Sequence, residues 1–146
     1  MSVEDVDKTV GPNGKAILNE LRAIERNNPQ LIKLKDATMG LQICVIARDA
    51  EIQLVQMWGA ADNEGAHSLE TRMQWITGRV FLNNSERMKI TTLLQRAQFK
   101  PTTGSYGNFR LGFDEAKTKT AFDATEMAKL RDAIVEMAKL VRSLKN

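Results

Sequence analysis

Apolar residues recur along the last two dozen positions of the chain at alternating intervals of three and four. The series is Met127, Leu130, Ile134, Met137, Val141 and Leu144. Only a helix brings side chains at this spacing onto one face, and the alternation is that of a coiled coil. Asp123 and Glu126 stand three residues apart at its start, which is the spacing of a capping box. The pattern predicts a C-terminal helix whose narrow apolar seam is covered by another helix, from this chain or from a second copy.

Three shorter amphipathic stretches precede that helix. The first covers residues 15–26, the second runs from His67 or Ser68 to the Asn83-Asn84-Ser85 break, and the third covers 86–97. Each places apolar side chains three or four residues apart, which predicts a helix. Gly-Pro-Asn-Gly at 11–14 has the composition of a turn, so residues 1–14 are expected to form a flexible tail.

The stretch from Gln30 to Trp58 is apolar on much of a helical circumference, which predicts a long helix buried on more than one side. Asn28 as N-cap and Pro29 at the first helical position agree with that prediction. Gly40 inside it marks either a break or a close crossing. Residues 41–47 also fit a short buried strand, but the absence of glycine and proline from 48–56 favours the helix.

Residues 99–113 differ in kind, because Pro101 and three glycines exclude a stable helix there. Phe109, Leu111 and Phe113 alternate with Arg110 and Gly112, which indicates a loop or a small β-hairpin. The fold class predicted from the whole chain is mainly α. It is a bundle of about five helices over residues 15–146, with a hairpin insertion before a coiled-coil-like last helix that packs against the long second helix.

Bulk composition agrees with one ordinary globular domain. The chain has 146 residues, 42% hydrophobic and 27% charged, and no apolar run long enough to span a bilayer. It has no apolar N-terminal stretch of the secretory kind, so the cytoplasm is the expected location, with signal-less export and a virion as the open alternatives. Residues 1–84 carry nine Lys/Arg and eleven Asp/Glu, a net −2, whereas 85–146 carry twelve and seven, a net +5. The basic second half permits contact with an acidic partner or a nucleic acid.

Chemical motifs are scarce. Cys44, the only cysteine, stands between Ile43 and Val45 and is expected to be a small buried side chain. Glu64 and His67 have the carboxylate–imidazole spacing of helical di-metal sites, but such sites use the pair twice and the chain has one histidine. No Ser-His-acid arrangement or glycine-rich phosphate loop has the required spacing. We therefore predict no catalytic residue, no metal site, no cofactor and no small-molecule substrate.

Three functions remain from the sequence. The first is a non-enzymatic protein that oligomerises or binds a helical partner through the C-terminal seam, as in a subunit of a filament or capsid. The alternative is nucleic-acid binding, in which exposed aromatics stack on bases and cations contact phosphates. Its candidate contacts are Lys100, Tyr106, Phe109, Arg110 and Phe113, although alternating aromatics more often face a core. The third is a metal enzyme assembled between subunits around Glu64, His67 and Glu70.

Overall fold

The computed structural model describes residues 11–37, 40–58, 67–102, 107–114 and 122–145. These residues form an α+β fold, so the prediction of a mainly α helical bundle is wrong. The helices are α1 (Gly11–Asn27), α2 (Met73–Thr77), α3 (Asn84–Arg96) and α4 (Ala124–Lys145). The strands are β1 (Ile32–Ala37), β2 (Gly40–Ile46), β3 (Glu51–Trp58), β4 (Ser68–Thr71), β5 (Lys100–Pro101) and β6 (Phe109–Gly112).

The six strands form one antiparallel sheet in the order β1-β2-β3-β4-β6-β5. Three of them occupy the segment that was predicted as a long helix. In β1, Ile32 and Leu34 alternate with Lys33 and Lys35. The β-branched residues of β2 and β3 fit a pleated surface. Ala47 donates its amide to the Ala50 carbonyl at 2.8 Å, which closes a tight turn around Arg48-Asp49 without any glycine or proline.

Asn28 ends α1 instead of beginning a second helix. Its amide and its side-chain Nδ2 both donate to the Ile24 carbonyl, at 3.0 and 2.9 Å. Its own carbonyl accepts from the amides of Leu31 and Ile32, at 3.0 and 2.9 Å. The unpaired carbonyls at the helix end are thereby satisfied, and the chain turns into β1.

Gly40 begins β2 at a place where two backbones meet closely. A Cβ at this position would lie 1.9 Å from the Met57 carbonyl oxygen, so no larger residue fits without a shift of the backbone. The close approach predicted for this glycine is therefore present, but it lies between two strands and not between two helices.

A bulge interrupts the pairing of β2 with β3. Ile43 pairs with Val55 and Cys44 with Gln53, so Leu54 is the extra residue. Its carbonyl accepts a hydrogen bond from the buried Thr71 hydroxyl of β4. A group that the bulge removes from the ladder is thus satisfied by the neighbouring element.

The sheet separates two unlike layers. On one face, α1 and α4 cover β1, β2 and β3, and α3 packs on α4. Strand register places Ile32, Leu34, Ile43, Val45 and Ile52 on this apolar side. The short helix α2 packs on β3 from the opposite side, together with the polar strand residues described below. The described helices and strands share one apolar core.

The boundaries of the helices confirm some predictions and correct others. In α3, Asn83 and Glu86 form a complete capping box. Before α4, the Asp123 carboxylate accepts from the Glu126 amide at 2.9 Å. The predicted turn at residues 11–14 is the first turn of α1, and residues 1–10 lie outside the described part.

The helix predicted from His67 is wrong, because residues 68–71 are the central strand β4 and only Met73–Thr77 is helical. The predicted hairpin is confirmed, since β5 and β6 pair antiparallel; the positions around Gly104 fall outside the described residues. Among the described helices, none is long and apolar enough to cross a membrane.

Some backbone donors at both edges of the described sheet are occupied or missing. At the β1 edge, the Leu34 amide donates to the Glu25 carboxylate of α1 at 2.7 Å, and the Ile32 amide donates to Asn28. At the other edge, β5 is two residues long and contains Pro101, which has no amide hydrogen. A partner strand would find few free donors on either side.

Candidate functional site

The seam of the C-terminal helix lies inside this chain's own core. Five of its six members are buried against the sheet and the neighbouring helices, namely Met127, Leu130, Ile134, Met137 and Val141. Only Leu144, at the end of the series, is exposed. The predicted helix exists, but what covers its seam includes β-strands of the same molecule.

The aromatic segment is likewise directed inward. Phe109 and Phe113 are buried in the core, and Arg110 donates to the buried Glu70 carboxylate at 2.6 Å. Lys100 is exposed, and Tyr106 lies outside the described residues. The structure therefore brings the four described candidates to one sheet edge, with the two phenylalanine rings unavailable for stacking on bases.

The described residues considered for a metal site, His67 and Glu70, are engaged in other contacts. His67 has a left-handed φ of 54° just before β4, and its ring stands edge-on to Phe113 at 5.8 Å. Glu70 is engaged by Arg72 at 2.9 Å and by Arg110 at 2.6 Å. Glu64 lies outside the described residues, which contain no group of three side chains able to hold a metal ion.

The most unusual surface is one that the sequence did not single out. Phe81, just before α3, is 84% exposed, and Met88 on α3 is 65% exposed. Large apolar side chains at this level of exposure mark interaction sites when they adjoin other apolar surface. The signal available in the sequence was Met88 itself, which at helical spacing lies on the side of α3 opposite the buried Ile90 and Leu94.

Met88 belongs to a shallow groove between α3 and α4, which we call the α3 face. Its volume is about 500 Å³. Its lining consists of Ser85, Met88, Lys89, Thr92, Leu93 and Arg96 from α3, with Glu136 from α4. Most of these α3 residues follow one another at intervals of three or four, so they lie along one side of the helix. The α3 face thus combines a projecting apolar side chain, an adjoining depression and charges of both signs.

A second depression, which we call the sheet groove, lies on the opposite face of the sheet under α2. It has a volume of about 400 Å³ and is lined by Lys35, Gln42, Cys44, Glu51, Gln53, Gln74, Trp75, Gly78 and Arg79. The register explains the strand contribution, because Lys35 pairs with Gln42 and Cys44 with Gln53, with all four side chains on one side.

Glu51 organises the charges at one end of the sheet groove. Its carboxylate lies 2.9 Å from the Lys35 ammonium and 3.3 Å from that of Lys33. The hydrogen bonds from Lys35 and Lys33 lower the pKa of Glu51, and the bond to Glu51 raises the pKa of Lys35. Both groups are therefore charged at neutral pH. Burial raises the pKa of the Cys44 thiol to about 11, so this side chain is a neutral part of the wall.

Comparison of the chain with models of protein families, with curated proteins and with solved structures finds no significant match.

Proposed function

We propose that this protein is a non-enzymatic binding protein that pairs with a second copy of itself through the α3 face. The observation that carries the proposal is the exposure of Met88 beside an apolar depression on the same face. Withdrawing such surface from water yields about 25 cal/mol per Å², and Met is suited to irregular contacts.

A second copy is the occupant that the α3 face fits best. A two-fold interface uses the same patch on both subunits, so the patch must offer both a projection and a recess. Met88 supplies the projection and the depression beside Leu93 supplies the recess. Lys89 and Glu136 supply opposite charges, so a rotated copy can set its carboxylate against the ammonium of the first.

The rest of the surface favours pairing through helices. The seam of α4 is occupied by the chain's own core, and the two edges of the described sheet lack some of their backbone donors. A two-fold interface also cannot extend beyond a dimer, because it buries the α3 face of both copies. A filament or capsid subunit would need a further surface, and we do not extend the proposal to such assemblies.

Nucleic-acid binding through residues 99–113 has less support. The proposed stacking rings of Phe109 and Phe113 are buried, and the Arg110 guanidinium is paired with Glu70. Lys100 alone among the described candidates is exposed and cationic, which is too little for a phosphate-tracking surface.

Sedimentation equilibrium from 1 to 300 µM tests the proposal. We expect a dimer that Met88→Glu converts to a monomer, because each copy would bury an unpaired carboxylate. Leu144→Glu is the matched control, since it removes the exposed end of the α4 seam and should leave the dimer intact. A wild-type monomer at 300 µM, or a dimer that Met88→Glu does not weaken, would contradict the proposal.

A further inference from the structure

The sheet groove has no role in pairing through the α3 face, because the two lie on opposite sides of the sheet. Its volume of about 400 Å³ falls in the range of about 300–1,000 Å³ typical of small-molecule sites. Its walls come from three strands and the α2 segment, so the geometry is fixed by the sheet and not by a single loop.

Two cations and one anion line the sheet groove, giving a net charge of +1 from Lys35, Arg79 and Glu51. Lys35 is held by Glu51, whereas the Arg79 guanidinium makes no hydrogen bond or ion pair with any described residue. Gln42 also has a side-chain amide without a described partner. These groups offer uncommitted hydrogen-bond donors around a positively charged depression.

Trp75 adds a flat surface to the same site. Arg72 lies 5.2 Å from the centroid of its ring, within the range of a cation–π contact. Arg72 also bonds to Glu70, so the indole is held between the buried ion pair and the groove. Flat aromatic side chains of this kind pack against sugar rings and bases.

We propose that the sheet groove binds a small phosphate-bearing ligand of the size of a nucleoside monophosphate or a sugar phosphate. Arg79, Lys35 and the Gln42 amide surround the phosphate, where the planar guanidinium can donate two parallel hydrogen bonds to its oxygens. Trp75 contacts the attached ring. Gln53, whose Nε2 donates to the Gln56 oxygen at 3.0 Å, presents its own oxygen as an acceptor for a ligand hydroxyl.

A polymer fits this surface less well than a small molecule. Beyond Gln53, Arg72 and Arg110 are both bound to Glu70, so Lys100 is the exposed cation that remains among the described residues on this side of the sheet. The α2 segment also closes over β3. A single strand of nucleic acid would therefore lose its phosphate contacts after the first residue or two.

Isothermal titration calorimetry with adenosine 5′-monophosphate, ribose 5-phosphate, inorganic phosphate and adenosine tests the site. We expect both ring-bearing phosphates to bind at least tenfold more tightly than inorganic phosphate or adenosine. Arg79→Gln should weaken them at least tenfold, and Gln42→Ala should weaken them to a smaller extent. Lys139→Gln, an equal loss of charge on exposed α4, should change nothing.

Three results would overturn the inference. One is the absence of heat with every phosphate-bearing probe at millimolar concentration. Another is binding that Arg79→Gln leaves unchanged while circular dichroism shows both proteins folded. The third is an affinity for oligothymidylate that rises with its length, which would identify an extended nucleic-acid surface. None of these results depends on whether Met88→Glu alters the mass in solution, so the site and the dimer fail separately.

Discussion

Glu70 occupies the least favourable position for a charge in the described sheet. The residue is 1% exposed in the central strand β4, and its two oxygens are bound by Arg72 and Arg110. Taking the Glu70 carboxylate out of water is costly, and the arrangement is tolerated because each carboxylate oxygen receives a guanidinium donor. The cluster also ties β4 to β6, since Arg110 is the register partner of Glu70.

Removal of this carboxylate should be much more harmful than removal of the exposed one at Glu51. We expect Glu70→Ala to lower the free energy of unfolding by about 2 kcal/mol. That value is below the range for fully buried pairs, because Arg72 and Arg110 remain 37% and 27% exposed. Glu51→Ala should lower the free energy of unfolding by much less, as expected for a solvated pair. Urea unfolding measures both, and equal losses in the two variants would contradict the assignment of Glu70 as a structural ion-pair centre.

The Cys44 thiol provides a second test at the scale of one residue. Burial raises its pKa from 9.0 to about 11, so the folded protein holds much less thiolate near pH 8.5 than the unfolded chain. We expect iodoacetamide to alkylate the native protein at least tenfold more slowly than the same chain in urea, because the buried thiol is both less ionised and less accessible. As the only cysteine, Cys44 gives an unambiguous mass shift.

The sign of the accompanying stability effect follows from the same shift. The folded-state pKa is raised, so the contribution of the neutral thiol is complete below pH 9 and is lost as the pH rises towards 11. Cys44→Ala should remove that part of the alkaline destabilisation. Native alkylation as fast as that in urea would show that the thiol is neither buried nor raised in pKa.

At the scale of elements, α4 serves the core of its own chain. Ile134 is 1% exposed, whereas Leu144 is 36% exposed. Ile134→Ala should therefore lower the free energy of unfolding by about 3 kcal/mol through lost burial and a residual cavity. Leu144→Ala should stay within about 0.5 kcal/mol. Chemical denaturation at low protein concentration separates the two, and a stable Ile134→Ala monomer would indicate that the seam contacts a second copy instead of the core of its own chain.

The elements that the sequence predicted well are those with local signals. Asp123 stands at the predicted start of α4, which follows its spacing of three and four, and α3 covers most of the stretch predicted over 86–97. The alternation of Phe109, Leu111 and Phe113 correctly indicated a strand of a small hairpin. In each case, a few neighbouring residues specify both the conformation and the buried side.

The helix predicted over residues 30–58 is wrong for two physical reasons. The bulge at Leu54 puts Leu54 and Val55 on the same face of the sheet. The buried residues therefore include two pairs spaced by three, as in a helix, namely Ile52 with Val55 and Leu54 with Met57. The turn between β2 and β3 uses Arg48-Asp49, without the glycine or proline that would mark it. The alternation in Ile32-Lys33-Leu34-Lys35 was the available signal, and sheet pairing, a nonlocal interaction, decides between the two interpretations.

The candidate sites were less predictable than the helices, because they are assembled from distant parts of the chain. The sheet groove joins Lys35 to Arg79, and the α3 face joins Met88 to Glu136. Neither pairing has a spacing motif. The predicted C-terminal helix is present, but periodicity alone does not show whether a sheet or another helix covers its apolar side.

At the scale of the whole molecule, the sheet separates the two proposed binding surfaces, the α3 face and the sheet groove. Pairing through the α3 face leaves the sheet groove of each copy pointing away from the interface. The stability of the proposed dimer should depend on the contact area around Met88 and on mass action.

That dependence predicts a melting temperature that changes with protein concentration. For a dimer that unfolds to two chains, each tenfold increase in concentration should raise the melting temperature by about 2 °C for a chain of this size. Met88→Glu should abolish the dependence while keeping the α+β far-ultraviolet spectrum, since its side chain lies outside the core. Calorimetric scans at 5, 50 and 500 µM measure the slope. A flat wild-type profile with full reversibility would show that folding and association are not linked, and the α3 face would then lose its proposed role.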